Sequence, residues 1–200
     1  MSAFLNRTIA AALAGCLAMS ASGAVAQMYN YVIGYDKGPV TVTGTPANSS
    51  HAAGSAVGPA GSGTNQAGLF TVPIARTAGH SGIITSFLLK DTNGVAESYV
   101  LRAWSKFPAN TTCQDGAAFV GSNTDDQYLI GAGPVTVTTA APGSAVGDSA
   151  VYVALTNLVW DYLNADSTPT KNVYVCLVTT ATYTPSASKP MYVTLSGPQN

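Results

Sequence analysis

The stretch SYVLRAW, residues 98–104, indicates the fold class more clearly than any other part of the chain. Its residues Tyr99, Leu101 and Ala103 recur at every second position, and Arg102 lies between the last two. Because successive side chains of a β-strand point to opposite faces of a sheet, this alternation predicts a strand with one packed surface and one polar surface.

Further segments with strand character surround this stretch and are separated from it by turn residues. The turn DTNG, residues 91–94, precedes it, and Asn-Gly between two apolar runs is a strong hairpin signal. After residue 27 the longest helical pattern is a single turn at residues 124–129. The other β-rich runs lie at residues 29–35, 40–43, 69–74, 83–89, 118–120, 135–138, 150–158, 172–180 and 191–195. This spacing predicts an all-β fold, an antiparallel β-sandwich of jelly-roll type with about eight or nine strands.

The composition is apolar and contains few charges. Of the 200 residues, 46% are apolar, which is enough for one sizeable core. Only 8% are charged, and the formal net charge is -1. These values exclude a coiled coil, a charged disordered tail and a basic nucleic-acid-binding surface. No apolar run reaches the roughly 18 residues that a membrane-spanning helix needs.

The scarcity of charge also bears on the partners of the protein. A surface of Thr, Ser, Asn, Gly and Ala lacks the electrostatic repulsion that normally keeps copies of a soluble domain apart. We therefore expect self-association or binding to a repeated protein lattice, and no binding to nucleic acid.

Residues 1–26 have the features of an export signal. Arg7 precedes an apolar run at residues 9–19, and Ala24-Val25-Ala26 offers a small-x-small cleavage site before Gln27. Alternatively, LAGC at residues 13–16 resembles a lipobox, in which case the signal ends at residue 15 and Cys16 is lipidated. We favour cleavage after residue 26, since the residues after Cys16 stay small and apolar, unlike a polar lipoprotein tether. A short N-terminal membrane anchor is the third alternative. Contact with a membrane is expected only through a lipid at Cys16.

The remainder is expected to form one domain. Residues 27–68 combine N-terminal strands with a Gly/Ala/Ser-rich loop, and residues 69–200 form the main β-sandwich. Within the first part, residues 45–66 contain almost no bulky side chain. Such a segment has little apolar surface to offset its ordering entropy, so a mobile loop is predicted there.

Removal of the signal leaves two cysteines, Cys113 and Cys176. In an oxidising compartment two cysteines would most simply pair, and we expect a disulfide between them. The alternative is two buried thiols that do not meet. A metal site is not expected, because the two cysteines and the histidines His51 and His80 show no metal-ligand spacing.

Residues that could carry catalysis are scarce. Glu97 is the single glutamate, and the neighbouring Asp125 and Asp126 are predicted to lie solvated in a turn. His80 is next to Ser81, but sequence neighbours rarely form the hydrogen bond of a Ser–His pair. Residues 91–97 resemble a fragment of a calcium loop without the spacing of an EF-hand, and a turn is favoured. The sequence therefore predicts a protein that is not an enzyme, with no catalytic, cofactor-binding or metal-binding residues.

Several motifs, taken in their order and spacing, carry a resemblance to a known family. The matching motifs are AGSAVG (53–58), GHSGII (79–84) within residues 76–89, Asp91, PANTT (108–112), DGAAF (115–119), the strand at 173–178 and TYTPSAS (182–188). Over about residues 50–200 the chain resembles small virion-associated structural proteins of tailed bacteriophages, of the head-decoration or capsid-cementing kind. The resemblance implies a β-sandwich that binds a capsid or tail lattice and has no catalytic residues.

The expected function is thus a non-enzymatic structural or binding module that packs on a repeated surface. The alternative is an exported cell-surface or periplasmic binding protein for a carbohydrate or a protein partner, with Trp104 and Trp160 as reporters of ligand binding. The expected location is the periplasm or cell surface if the N-terminal signal is used, and otherwise the virion.

Overall fold

Eleven β-strands and one short helix make up the regular structure of the part of the chain that the computed structural model describes, residues 35–61, 63–131, 135–139, 150–186 and 189–199. The helix α1 spans Asn123–Asp126. The strands are β1 (Tyr35–Gly44), β2 (Ala56–Val57), β3 (Phe70–Val72), β4 (Ser81–Ile84), β5 (Ser86–Asp91), β6 (Ser98–Trp104), β7 (Val135–Thr138), β8 (Val151–Leu155), β9 (Trp160–Leu163), β10 (Val173–Thr179) and β11 (Met191–Gln199). Residues 1–34, and with them the predicted signal and Cys16, lie outside the described residues.

The strands form two antiparallel sheets. Sheet 1 has the order β8-β5-β11-β4-β9, with β1 also paired to β11. Sheet 2 has the order β2-β10-β6-β7, with β3 also paired to β10. The predicted all-β sandwich is therefore confirmed. Among the described residues no helix is long and apolar enough to cross a membrane.

The strand count exceeds the predicted eight or nine because irregularities divide three longer strands. The strands β4 and β5 both pair with β11 and are separated only at Thr85, whose N–H donates to the Ser196 carbonyl. Opposite this bulge, a Cβ on Gly197 would lie 1.9 Å from the Ile83 carbonyl oxygen, so only glycine fits there. Across longer interruptions, residues 156–159 and 58–69, β8 and β9 run along β5 and β4, and β2 and β3 run along β10.

Counted as continuous strands, the elements are eight in chain order: β1, β2–β3, β4–β5, β6, β7, β8–β9, β10 and β11. These eight strands follow a jelly roll. The first strand is next to the eighth and the third is next to the sixth in sheet 1, while the second is next to the seventh and the fourth is next to the fifth in sheet 2. This nesting of strand pairs is the double Greek key of an eight-stranded jelly roll. The jelly-roll form of the prediction is thus confirmed.

Strand β10 is buried on both faces, and this is why its sequence, VYVCLVT, is apolar without alternation. Val173, Val175 and Leu177 pack in the main core between the sheets. Tyr174 and Cys176 pack in a second cluster on the outer side of sheet 2, which also contains Ala56, Leu69, Trp104, Cys113 and Val178. Sheet 2 is therefore covered on its outer side by a layer of loops, which we call the loop layer (residues 45–55, 58–61, 63–69 and 105–131).

Strand β6 confirms the predicted alternation on one face and departs from it on the other. Tyr99, Leu101 and Ala103 lie in the main core. The opposite face was expected to be polar, but Trp104 is fully buried beneath the loop layer. There Arg102 also lies over the ring of Phe119, with its guanidinium carbon 4.7 Å from the ring centroid.

The prediction of a mobile loop at residues 45–66 is wrong for the described residues. His51, Ser55 and the strand β2 are buried, and backbone N–H groups of the segment donate to the carbonyls of Tyr183, Thr179 and Ala117. The small side chains permit this close approach of backbones. Hydrogen bonds thus order a segment that has little apolar surface.

Cys113 and Cys176 form a disulfide, as predicted, with their Cα atoms 6.2 Å apart. Cys176 belongs to β10 and Cys113 to the loop layer. The bond therefore fixes the loop layer to the outer side of sheet 2.

We expect reduction of the disulfide to destabilise the protein, because the bond closes a loop between residues separated by 63 positions. The chain-entropy model assigns about 4 kcal/mol to a loop of this length. Urea unfolding with and without reductant measures the difference, with the double variant C113A/C176A as the control that should not respond to reductant. Equal unfolding free energies for oxidised and reduced wild-type protein would contradict the expectation.

Candidate functional site

Four aspartates act as centres of hydrogen bonding within the fold. Each of Asp91, Asp115, Asp125 and Asp166 accepts at least three hydrogen bonds from donors of its own chain. We call them the aspartate hubs. They hold turns and loops in place, and none of the four was predicted to have this role.

Asp91 ends β5 with its side chain fully buried. Its Oδ2 accepts from the hydroxyls of Tyr99 at 3.2 Å and Tyr183 at 2.9 Å, and its Oδ1 accepts from the N–H and the side-chain amide of Asn93. Burial, together with the neighbouring phenol and carboxylate, raises the pKa of Tyr99, and burial and the carboxylate do the same for Tyr183. Both phenols therefore remain neutral donors. The segment of residues 91–94 is a turn anchored in the core, as favoured over the calcium loop.

Asp115 pairs with His51 inside the loop layer. His51 Nε2 lies 2.8 Å from Asp115 Oδ1, and its Nδ1 lies 2.8 Å from the Ser49 carbonyl oxygen. Both ring nitrogens thus lie within hydrogen-bond distance of an oxygen, one from the side chain of Asp115 and one from the backbone. The carboxylate also accepts from the N–H groups of Ala47 and Gly58. This hub is what fixes the Gly/Ala/Ser-rich segment.

Asp125 and Asp166 organise the rest of the loop layer. The prediction that Asp125 is solvated is wrong, because it is buried and accepts from the N–H of Asn110 and the hydroxyl of Thr111. Its neighbour Asp126 lies 3.9 Å from Arg102. Asp166 accepts from the N–H of Phe107 and from three side chains, those of Asn164, Thr170 and Tyr174.

The structure does not assemble the other residues considered for chemistry into a site. His80 and Ser81 lie where a turn enters β4, as favoured over a nucleophile–base pair. Among the described residues no three His, Cys, Asp or Glu side chains are placed to hold a metal ion. Trp104 and Trp160 are 0% and 8% exposed, so neither ring offers a stacking surface to a ligand.

The outer face of sheet 1 differs from that of sheet 2, because no described element forms a layer over it. Its central row runs across four strands, with Leu88 opposite Ala154 on one side and Thr194 on the other. The Oγ1 of Thr194 lies 2.8 Å from that of Thr41 on β1. We call this surface the open face; its described outward-pointing residues are Thr41, Thr43, Ser81, Ile83, Ser86, Leu88, Lys90, Ala154, Asp161, Leu163, Tyr192, Thr194, Ser196 and Pro198.

The middle of the open face is uncharged. Leu88 is 36% exposed at its centre. The described charges lie near opposite ends: Lys90, whose Nζ is 6.0 Å from the centroid of the Tyr192 ring, and Asp161, which is exposed opposite Ile83. A broad, uncharged β-surface of this kind is suited to another flat protein surface rather than to a small charged ligand.

Comparison with known proteins identifies no relative: no family model, no curated protein and no solved structure matches the chain. The geometry of the hubs and of the open face is therefore the basis for the functional proposal.

Truncation of the Asp91 hub should destabilise the fold strongly. In Asp91→Ala two buried phenols and the donors of Asn93 lose their acceptor, which we expect to lower the unfolding free energy by about 3 kcal/mol or more. Tyr183→Phe removes one donor but keeps the ring, and should cost about 1 kcal/mol. Urea unfolding at neutral pH compares the two variants, and similar losses would show that Asp91 is not the common acceptor.

The Asp166 hub should produce a pH dependence of stability. Burial opposes ionisation of this carboxyl, but the hydrogen bonds from Thr170, Phe107 and Tyr174 outweigh it and lower the pKa below 3.8. A lowered pKa in the folded state means that the stabilisation is complete above the unfolded pKa of about 3.9 and is lost as the pH falls through the folded value.

Asp166→Asn should therefore be less stable than wild type at neutral pH, and the difference should vanish once the pH falls below the lowered pKa of Asp166 in the folded state. Urea unfolding between neutral and acidic pH measures both curves. A difference that stays constant down to the lowest pH would assign the effect to packing instead of ionisation.

Proposed function

We propose that the protein is a non-enzymatic structural module that packs through its open face on a repeated protein surface. The observation that carries the proposal is the asymmetry of the sandwich. The outer side of sheet 2 is occupied by the chain's own loop layer, while the open face presents Leu88 amid threonines, serines and an alanine. A surface of this composition has little charge to keep a flat partner away.

The use of the few acidic residues supports this proposal. Asp91, Asp115, Asp125 and Asp166 are hydrogen-bonded to loops and turns of the chain itself. They account for four of the nine acidic residues in the sequence. Their oxygens are employed in holding the scaffold rigid, which suits a protein whose task is to present a surface of fixed shape.

We further propose that the chain is exported, with cleavage after Ala26. The disulfide supports this location, because such bonds persist in oxidising compartments and are rare in the cytosol. Attachment through a lipid on Cys16 is the alternative to cleavage. A virion location is the alternative to export, and the resemblance to phage decoration proteins favours a particle as the repeated surface.

The test uses the purified chain and two substitutions that each place a carboxylate on an exposed apolar residue. Leu88→Glu alters the centre of the open face, and Val120→Glu alters the loop layer, where Val120 is 57% exposed. The probes are the envelope fraction and the virus-like particle fraction of the cells that make the protein.

We expect wild-type chain and Val120→Glu to sediment with one of the two fractions at a saturable ratio, and Leu88→Glu to bind at least tenfold more weakly. A charge in the middle of an apolar contact has to be desolvated without a partner, and this is the reason for the loss. Binding that is unaffected by Leu88→Glu, or absent for all three chains, would overturn the proposal. Intact mass of the native protein gives the N-terminus in the same preparation, with Gln27 as the expected first residue.

A further inference from the structure

We propose that the open face binds a second copy of this chain, in a face-to-face dimer with two-fold symmetry in which Lys90 of each copy lies against Asp161 of the other. This inference rests on the proposed function, since it uses the same surface, and the second copy and the repeated surface then compete for the open face. It names the occupant of that surface and the arrangement of the two copies.

The positions of the two charges carry the inference. Lys90 lies on β5 opposite Tyr192, and Asp161 lies on β9 opposite Ile83. Because β4 and β5 form one bulged strand, the rows of Lys90 and Ile83 are separated along the strand direction by about 20 Å at roughly 3.3 Å per residue. The two charges thus lie about 20 Å apart along the face, on adjacent strands, and beyond Asp161 the face continues to the exposed Leu163.

A two-fold axis that lies in the contact plane and runs across the strands exchanges the rows of these two charges. It carries Asp161 of the partner copy to the row of Lys90, displaced by about one strand spacing of 4.8 Å. That distance is within the reach of a lysine side chain. By symmetry the second pair forms at the other end, as a self-complementary two-fold interface requires. An axis along the strands would instead place Lys90 near Lys90 of the partner copy.

The same two-fold rotation brings apolar side chains together at the centre of the contact. The axis passes between the rows of Ser86 and Leu88, so the two Leu88 side chains lie side by side. Ala154 and Thr194, their neighbours across the strands, surround them. The result is an apolar centre with charges at the rim, which is the usual anatomy of a specific protein interface.

The size of the face is compatible with a specific dimer. Four strands at about 4.8 Å spacing and about nine residues in length cover roughly 600 Å² on each copy, or about 1,200 Å² in total. This lies at the lower end of the range for specific interfaces, which begins near 1,200 Å². The formal net charge, -1 for the whole sequence and -2 when Arg7 is removed with the signal (seven basic against nine acidic residues), adds little repulsion between the copies.

Sedimentation velocity of the full chain, at concentrations from about 1 to about 500 µM, tests the proposal. We expect wild type to form dimers in this range, Leu88→Glu to be monomeric throughout, and Val120→Glu to match wild type. Thermal unfolding of each variant verifies that the fold is intact. A wild-type chain that stays monomeric at the highest concentration would overturn the dimer.

Charge reversal then tests the arrangement. Lys90→Glu and Asp161→Lys should each weaken the dimer at least tenfold, because each places like charges against one another. The double variant K90E/D161K restores opposite charges and should recover most of the wild-type dissociation constant. Single variants without effect, or a double variant as weak as the singles, would overturn this two-fold arrangement.

The dimer and the proposed function can be contradicted independently of each other, the dimer by sedimentation and the proposed function by particle binding. A monomer that still binds the particle or envelope fraction through Leu88 leaves the proposed function standing and overturns the dimer. A dimer that binds neither fraction supports self-association and overturns the repeated surface as the partner.

Discussion

The burial of β10 between two apolar layers is the constraint on which the architecture depends. One side of the strand completes the main core, and the other side, with Tyr174 and Cys176, requires a cover. Part of that cover, residues 45–66, has little apolar surface of its own, so it must be held by other means. The disulfide and the His51–Asp115 pair supply them, one by a covalent bond and the other by hydrogen bonds to a segment rich in small residues.

Four of the nine acidic residues hold turns and loops of the fold by hydrogen bonds. A buried carboxylate is tolerated only when donors surround it, and each hub has at least one donor that lies 14 or more residues away in the sequence. Tyr183, for example, lies 92 residues from Asp91. The hubs thus join parts of the chain that share no local structure, and they do so at sites where an apolar contact could not fix the direction of the backbone.

The sequence allows the regular parts of the fold to be predicted, since they depend on local periodicity. The alternation in residues 98–104 and the apolar runs at 135–138 and 172–180 correspond closely to β6, β7 and β10. The strand β9 was missed because its four residues follow a longer run after an irregular stretch, and β2 was missed because it has two residues in a small-residue segment. The cover on Trp104 depends on tertiary packing and has no local signal.

The open face was only partly predictable. Low charge predicted a surface for close packing, but the apolar run at residues 83–89 does not reveal which of its side chains point outward. The bulge at Thr85 shifts the alternation by one residue and thereby turns Leu88 away from the core. A one-residue shift of this kind changes the face of every later side chain, so the pattern of the sequence cannot be interpreted without the register.

The nesting of the jelly roll also affects when the chain can fold. The hydroxyls of Thr41 and Thr194 meet across 153 residues, because β11 inserts between β5 and β1 in the middle of sheet 1. Contacts of such long sequence separation form slowly and only after the eighth strand has been synthesised. Sheet 1 therefore cannot close on a growing chain. Until then the sides of β1 and β5 that pair with β11 have no partner in sheet 1.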